Sequence, residues 1–343
     1  MMRDRDMKIS MIHGAGGEGM GEVLDLLSNL SHTKTKGVGS IGLEALDDGA
    51  VIPLGAGGEY NVVFTTDSHV VRPLFFPGGD IGRISVAGTV NDLAMMGAKP
   101  LALSCGMIIE EGFSFDELKK ILASMDDALG EVDAALVTGD TKVVERGAVD
   151  GIIINTAGIG IAERVISDAG LRIGDIIIVS GTLGDHGLSI LVTREGFDLR
   201  DQIVSDVAPI YGVVAAAMAA GEVHAMKDPT RGGFANAINE MAKKAGVQVR
   251  IEEAHLPLRE SVLSAAAVLG IDPLEVANEG KVVMGVAPED ANAVLEAIRA
   301  HPYGKDAAIC GRVVEGRDVI METIAGGERF IEPPLGDPVP RVC

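Results

Sequence analysis

Hydrophobic positions along the chain fall into two patterns that alternate. Short β-branched or apolar runs read as strands: Asn61–Asp67, Leu101–Ile109, Ala134–Val137, Gly151–Ile161, Ile176–Gly181, Val247–Ile251 and Val282–Val286, with shorter runs at Gly311–Val314 and Val319–Thr323. Between them lie longer runs with helix punctuation. Gly82–Met96 is rich in small residues and closes at Gly97, with Pro100 beyond. A second helix follows Ser114, an N-cap with Glu117 at N3. Further helices are predicted from Gly184-Asp185-His186-Gly187 to Gly196, and over Val207–Ala220, Phe234–Ala245, Pro273–Ala277 and Pro288–Ala300. Residues 7–40 hold one helix near Glu22–Leu30. The result is an α+β chain, mixed α/β in two halves, with no fixed-period repeat. The expected division is an N-terminal segment 1–45, a first domain 46–165, a second 166–330 and a tail 331–343.

Composition narrows the class. The chain has 343 residues, 47% hydrophobic, with 45 glycines and no tryptophan. No apolar run reaches the roughly 18 residues that span a bilayer, and the charged start Met1–Asp6 does not fit a signal peptide. Three cysteines argue against a disulfide framework and for a reducing cytoplasm. Fifty acids against 29 bases give a net charge of −21, which disfavours nucleic acid. A phosphate ligand then needs metal ions or a local cation.

Several stretches carry candidate chemistry. The loop His13–Gly21 holds Gly14, Gly16, Gly17, Gly19 and Gly21, leaving backbone N–H groups open to an anion. It satisfies neither the Rossmann pattern, lacking the following acid, nor the Walker pattern, with Met20 where lysine is required. Asp67, Asp92, Asp140 and Asp228 each read as lying at or just past an element end, where ligands of open sheets bind. Carboxylates converging there suit Mg²⁺, which combines one or two of them with substrate phosphates. Lys142 offers a point cation and Glu279 a candidate base. Cys105 and Cys310 sit in apolar runs and read as packing residues. The third cysteine, Cys343, ends the chain after Glu332–Pro340, which holds four prolines. Such a segment is extended and semi-rigid, an exposed arm with a thiol at its tip.

Thr65-Thr66-Asp67, Asn91-Asp92-Leu93-Ala94-Met95-Met96-Gly97-Ala98-Lys99-Pro100, Thr138-Gly139-Asp140-Thr141-Lys142-Val143 and Asp228-Pro229-Thr230-Arg231-Gly232-Gly233 resemble the aminoimidazole ribonucleotide synthetase superfamily of ATP-dependent enzymes. That superfamily includes selenophosphate synthetase and thiamine monophosphate kinase. Pro340-Arg341-Val342-Cys343, with His13–Gly17 at the other end, is similar to the HypE type of hydrogenase maturation factor. The resemblance runs from about residue 10 to the last.

It implies a two-domain fold whose N-terminal sheets pair in a homodimer. It implies ATP and Mg²⁺ held by Asp67, Asp92, Asp140 and Asp228, with Gly14, Gly16, Gly17, Thr138 and Gly139 at the nucleotide. Cys343 would receive a carbamoyl group from a HypF-like carbamoyltransferase. ATP-dependent dehydration, with Lys142 and Glu279 catalytic, would turn it into a thiocyanate. The cyano group would pass to iron on a HypC–HypD-like scaffold, for a [NiFe] hydrogenase. A selenophosphate synthetase would need a Cys and a Lys in residues 13–21, which hold neither. Thiamine monophosphate kinase would leave Cys343 no role. A nucleotide-sensing scaffold would bind ATP without changing that thiol. The strands 62–66 and 101–109 are apolar on both faces, which also predicts an N-terminal dimer interface.

Overall fold

A computed structural model describes residues 40–54, 60–197, 202–334, 336 and 338–343. The glycine loop at 13–21 and the helix expected near 22–30 lie outside the described residues. The N-terminal half opens with β1 (Ala50–Leu54) and β2 (Tyr60–His69), then a ribbon of β3 (Phe75–Phe76) and β4 (Gly79–Asp80). Helix α1 (Ile81–Met95), β5 (Lys99–Glu110), α2 (Phe115–Val132), β6 (Ala135–Val144) and β7 (Ile152–Ala162) follow. The C-terminal half runs β8 (Ile176–Val179), α3 (Asp185–Arg194), α4 (Tyr211–Ala220), β9 (Val223–Lys227), α5 (Gly233–Ala245) and β10 (Gln248–Glu252). It ends with α6 (Glu260–Leu269), β11 (Val283–Val286), α7 (Ala291–Arg299), β12 (Ala308–Val314), β13 (Val319–Glu322) and β14 (Glu328–Phe330).

Among the described residues the N-terminal sheet has the order β1-β2-β7-β5-β6 and the C-terminal sheet β14-β13-β10-β12-β8-β11-β9. The mixed α/β expectation holds. Helix α1 is the centre of the N-terminal half. Asp80 caps it, its Oδ1 accepting from the N–H groups of Gly82 (2.7 Å) and Arg83 (3.1 Å). Nearly every side of α1 is buried, so small residues along it let β2, β7 and α2 approach. The polar side expected at Asn91-Asp92 therefore faces inward, towards the second half.

Three expectations change. First, Ala134–Val137 and the following Thr138–Val143 motif form one strand, β6, in parallel register with β5. Asp140 thus lies within a strand, as Asp67 does, and Asp92 lies inside α1; Asp228 alone of the four follows an element end. Gly139 is needed there, because a Cβ on it would meet the Cys105 carbonyl oxygen at 2.4 Å. Second, the alanine-rich helix starts at Tyr211 rather than Val207. The preceding backbone is committed elsewhere: Ser205 N–H donates to Pro77 O (2.8 Å) and Ile210 N–H to Asn91 Oδ1 (2.8 Å). Third, the tail is not a free arm. Val339 and Val342 are 1% and 2% exposed, packed into the core cluster that holds Ile81, Ile84 and Ile190. Apolar residues interrupting the proline run give the segment something to bury.

Candidate active site

The site forms where β2, α1, the turn after β9 and the segment before β11 meet. β2 delivers Asp67 on the face turned to α1. Asp67 Oδ2 packs against Gly88, where an added Cβ would lie 3.2 Å from it and 2.9 Å from His69 Cε1. Thr65 Oγ1 donates to Asp92 Oδ2 at 2.8 Å. Asn91, buried beside it, bridges the halves: its Nδ2 donates to Ala208 O (3.1 Å) and Glu279 O (3.2 Å). The 278–281 segment is laced in turn by Asn278, whose Oδ1 accepts from Gly184 N–H at 2.8 Å. Glu279 N–H donates to Asp206 Oδ1 at 3.0 Å. These contacts put Glu279, 2% exposed, next to Asp228, 7% exposed.

Electrostatics shows which acids share the space. Burial, then the charges of Asp67, Asp228 and Asp48, hold the Asp92 carboxyl well above the carboxylate range. Burial and repulsion from Asp48 and Asp67 push Asp228 up to about 8, although Lys227 and Arg231 oppose the rise. Burial and then Asp228, Asp67 and Asp206 raise Glu279 well above its ordinary value. Asp48 is pushed up to about 6 by burial, against the Lys227 ammonium 2.7 Å away. The cluster is therefore Asp48, Asp67, Asp92, Asp228 and Glu279.

Asp48 was not among the candidates from sequence. The signal was there, an Asp47-Asp48 pair just ahead of β1, but nothing local joins it to Asp228, 180 positions on.

A hard divalent cation fits this donor set. Like charges crowded in a buried space favour a cation over protons. Asp48 Oδ2 and Glu279 Oε1 are buried with no hydrogen-bond partner among the described residues. Among those residues no three His, Cys, Asp or Glu already form a cage for an ion.

The tail enters this site. Val70 N–H, three residues past Asp67, donates to the Cys343 main-chain oxygen at 2.9 Å. Burial opposes charge on Arg231, but Cys343 and then Asp67, Asp92 and Glu279 hold its pKa above the ordinary value. The terminal cysteine thus shares a cation with the carboxylate cluster. Arg231 is a second site residue that spacing alone did not single out.

Asp140 and Lys142 stand apart within the subunit. Asp67, Thr156, Cys105 and Gly139 form one row across β2, β7, β5 and β6. Asp140, one residue on, is three strand spacings away, about 14 Å at ~4.8 Å each. It is exposed and paired with Lys142 Nζ at 2.6 Å. Thr138 and Gly139 share that exposed strand. Gly14, Gly16 and Gly17 lie outside the described residues. Cys105 and Cys310 are buried, as expected.

A two-domain α/β chain with carboxylates gathered at the junction matches one family along most of its length. The N-terminal domain of AIR synthase related proteins matches residues 46–162 and their C-terminal domain residues 172–323, and the chain belongs to that family. Within it, the similarity is to hydrogenase maturation proteins. The chain is 52% identical to a putative hydrogenase expression/formation protein of Methanocaldococcus jannaschii, covering 98% of this chain and 100% of that one. It is 45% identical to the carbamoyl dehydratase HypE of Azotobacter vinelandii, covering 99% and 98%. A crystal structure of a HypE–HypF complex superposes with TM-score 0.84 at 44% identity, over 93% of this chain and 100% of that one. HypE in complex with ATP superposes with TM-score 0.80 at 40% identity, over 97% and 99%.

Proposed function

We propose that this chain is an ATP-dependent carbamoyl dehydratase of hydrogenase maturation that acts on a carbamoyl group borne by its own terminal thiol. The observation that carries the reading is the docked tip. Cys343 is hydrogen-bonded to Val70, beside the strand that presents Asp67, and acts on Arg231 together with Asp67, Asp92 and Glu279. A group carried on that sulfur reaches the acids without leaving the chain, which replaces a bimolecular encounter by an intramolecular one.

The chemistry follows from what an amide lacks. Its oxygen is a poor leaving group. Transfer of the ATP γ-phosphoryl to that oxygen, with loss of ADP and one N–H proton, gives S–C(=NH)–O–phosphate. Removal of the second N–H proton breaks the C–O bond, and phosphate departs to leave S–C≡N. Glu279 takes that proton; burial and the charges of Asp228 and Asp67 raise its affinity for one, and a cation among those acids would oppose the rise. Arg231 opposes charge building at the reacting oxygens. Bound Mg²⁺ would neutralise Asp48, Asp67, Asp92 and Asp228 and join them to the polyphosphate.

Asp140 and Lys142 take part through a second copy. Among the described residues one face of the N-terminal sheet is apolar and uncovered: Ile52, Phe64, Ile108, Ile159 and Ile161 are 43%, 42%, 39%, 41% and 38% exposed. The edge strand β6 is exposed along nearly its whole length. Face-to-face pairing about a two-fold axis along the strands buries that face and keeps each row at its own height. It sets β6 of one copy over the β1–β2 side of the other, and Asp140 and Lys142 complete the neighbouring site, where Lys142 meets the transferring phosphoryl. A HypF-like carbamoyltransferase loads the thiol and a HypC–HypD-like iron scaffold receives the cyano group. Among the described residues no helix is long and apolar enough to cross a membrane.

Intact-protein mass spectrometry tests the reading. Incubation with the carbamoyltransferase and its substrates should add one carbamoyl group at Cys343, and Mg-ATP should then remove one water. Cys343→Ala and removal of residues 340–343 should each abolish both changes while ATP still binds. Persistence of either change in these variants overturns it.

A further inference from the structure

The last four residues are held by the buried Val342 side chain, by the Arg341 guanidinium 3.1 Å from Asp150, and by a set of main-chain bonds. Arg194, the final residue of α3, donates from Nη1 to Pro340 O at 2.5 Å and from Nη2 to Arg341 O. Its Nε donates to Arg72 O at 2.5 Å, so the same guanidinium clasps the first half of the molecule. Arg72 N–H donates back to Arg341 O at 3.2 Å. His186, in the first turn of α3, faces Val342 O from Nε2 at 2.8 Å. Its Nδ1 faces Ser205 Oγ at 2.7 Å. A carbonyl only accepts, so Nε2 carries the hydrogen and Nδ1 accepts from the serine hydroxyl. Val70 N–H takes the Cys343 oxygen. Every carbonyl from 340 to 343 is engaged. Arg341 is turned into the left-handed region (φ 60°), a conformation unfavourable for a residue with a Cβ and held here by bonds on both sides.

We propose that Arg194 and His186 are positioning residues that latch the thiol-bearing tip into the site. The inference rests on the reading above that Cys343 carries the reacting group. A fork that grips carbonyls reads backbone, so it fixes where the tip sits whatever group is on the sulfur. Arg suits this because its planar guanidinium presents several donors in one rigid arrangement, whereas lysine presents a point charge. Both latch residues sit on one helix, and their targets bracket Arg341. Release therefore requires the bonds to break together. The latch has opposite effects on two steps: it speeds chemistry within the site and slows any reaction of the thiol with an outside reagent.

Iodoacetamide alkylation of Cys343 in the full-length protein reads the latch directly, since Cys105 and Cys310 are buried. Losing two forked bonds in Arg194→Gln should raise the alkylation rate about ten-fold. The same variant should slow ATP-dependent loss of water from the carbamoylated protein by a similar factor, with Mg-ATP affinity unchanged. Arg194→Lys should fall between the two. An alkylation rate in Arg194→Gln equal to wild type overturns the latch. If that variant does not fold, Arg194→Lys decides, and a wild-type rate there overturns it equally. Failure of the carbamoyl reading would show separately, as no carbamoyl gain at Cys343 in the wild-type protein, while the alkylation comparison would still report the latch.

Discussion

Thr65 on β2 donates its hydroxyl hydrogen to Asp92 on α1 across 2.8 Å, a bond between residues 27 apart in sequence. This hydrogen bond lowers the Asp92 pKa, against burial and three negative neighbours. Thr65→Val keeps the shape and removes the bond. Asp92 then holds its proton more tightly, and Mg-ATP affinity should fall about ten-fold, with melting temperature shifted little. Calorimetry with Mg-ATP checks this; unchanged affinity would remove Thr65 from the site.

The separation of Asp140 from Asp67 makes a mixing experiment decisive. Asp140→Asn and Asp228→Asn proteins should each be inactive in dehydration. Exchanging subunits between them should restore about a quarter of wild-type activity, because half the dimers are mixed and each mixed dimer holds one intact site. No recovery on mixing, with exchange verified, would show that both aspartates serve the same copy. Sedimentation of the wild type as a monomer would refute the shared site outright.

The crowded acids make stability depend on pH in the unusual direction. Asp48 and Asp228 bind protons up to about 6 and about 8 in the fold, against an ordinary value of 3.8 in the unfolded chain. Between those limits the folded form holds more protons, so stability of the metal-free protein falls as pH rises from about 4 to about 8. Mg²⁺ should raise the melting temperature more at pH 8 than at pH 6, where protons already neutralise part of the cluster. Equal shifts at both values would count against these carboxylates as metal ligands.

Thiol counting separates the three cysteines. Burial pushes Cys310 up to about 12 and raises Cys105, so neither forms thiolate near pH 8. Native protein at pH 8 should therefore take up a single alkyl group, at Cys343. Unfolded in denaturant it should take up three, one for each cysteine. Rapid uptake at Cys105 or Cys310 would mean that the strands carrying them open readily.

Local chemistry made much of this protein readable from residue order. Gly97 beyond α1, and Ser114 with Glu117 opening α2, marked helix ends because capping acts over a few residues. Asp67, Asp92, Asp228, Glu279 and Cys343 stood out as candidates through the motifs that resemble the family, while residue types alone left turn, cap and surface roles open for the acids. What spacing could not supply was who meets whom. Asp48 joins Asp228 because β1, β2 and the turn after β9 converge, and Asp140 is kept away because β7 and β5 lie between its strand and β2. The tail looked like a solvated arm because proline excludes helix and inner strand. Its docking depends on Arg194, His186 and Val70, all more than 140 positions from the residues they hold. Contacts at such separations are set by sheet register and by the fit of two halves, and neither has a local signature in the chain.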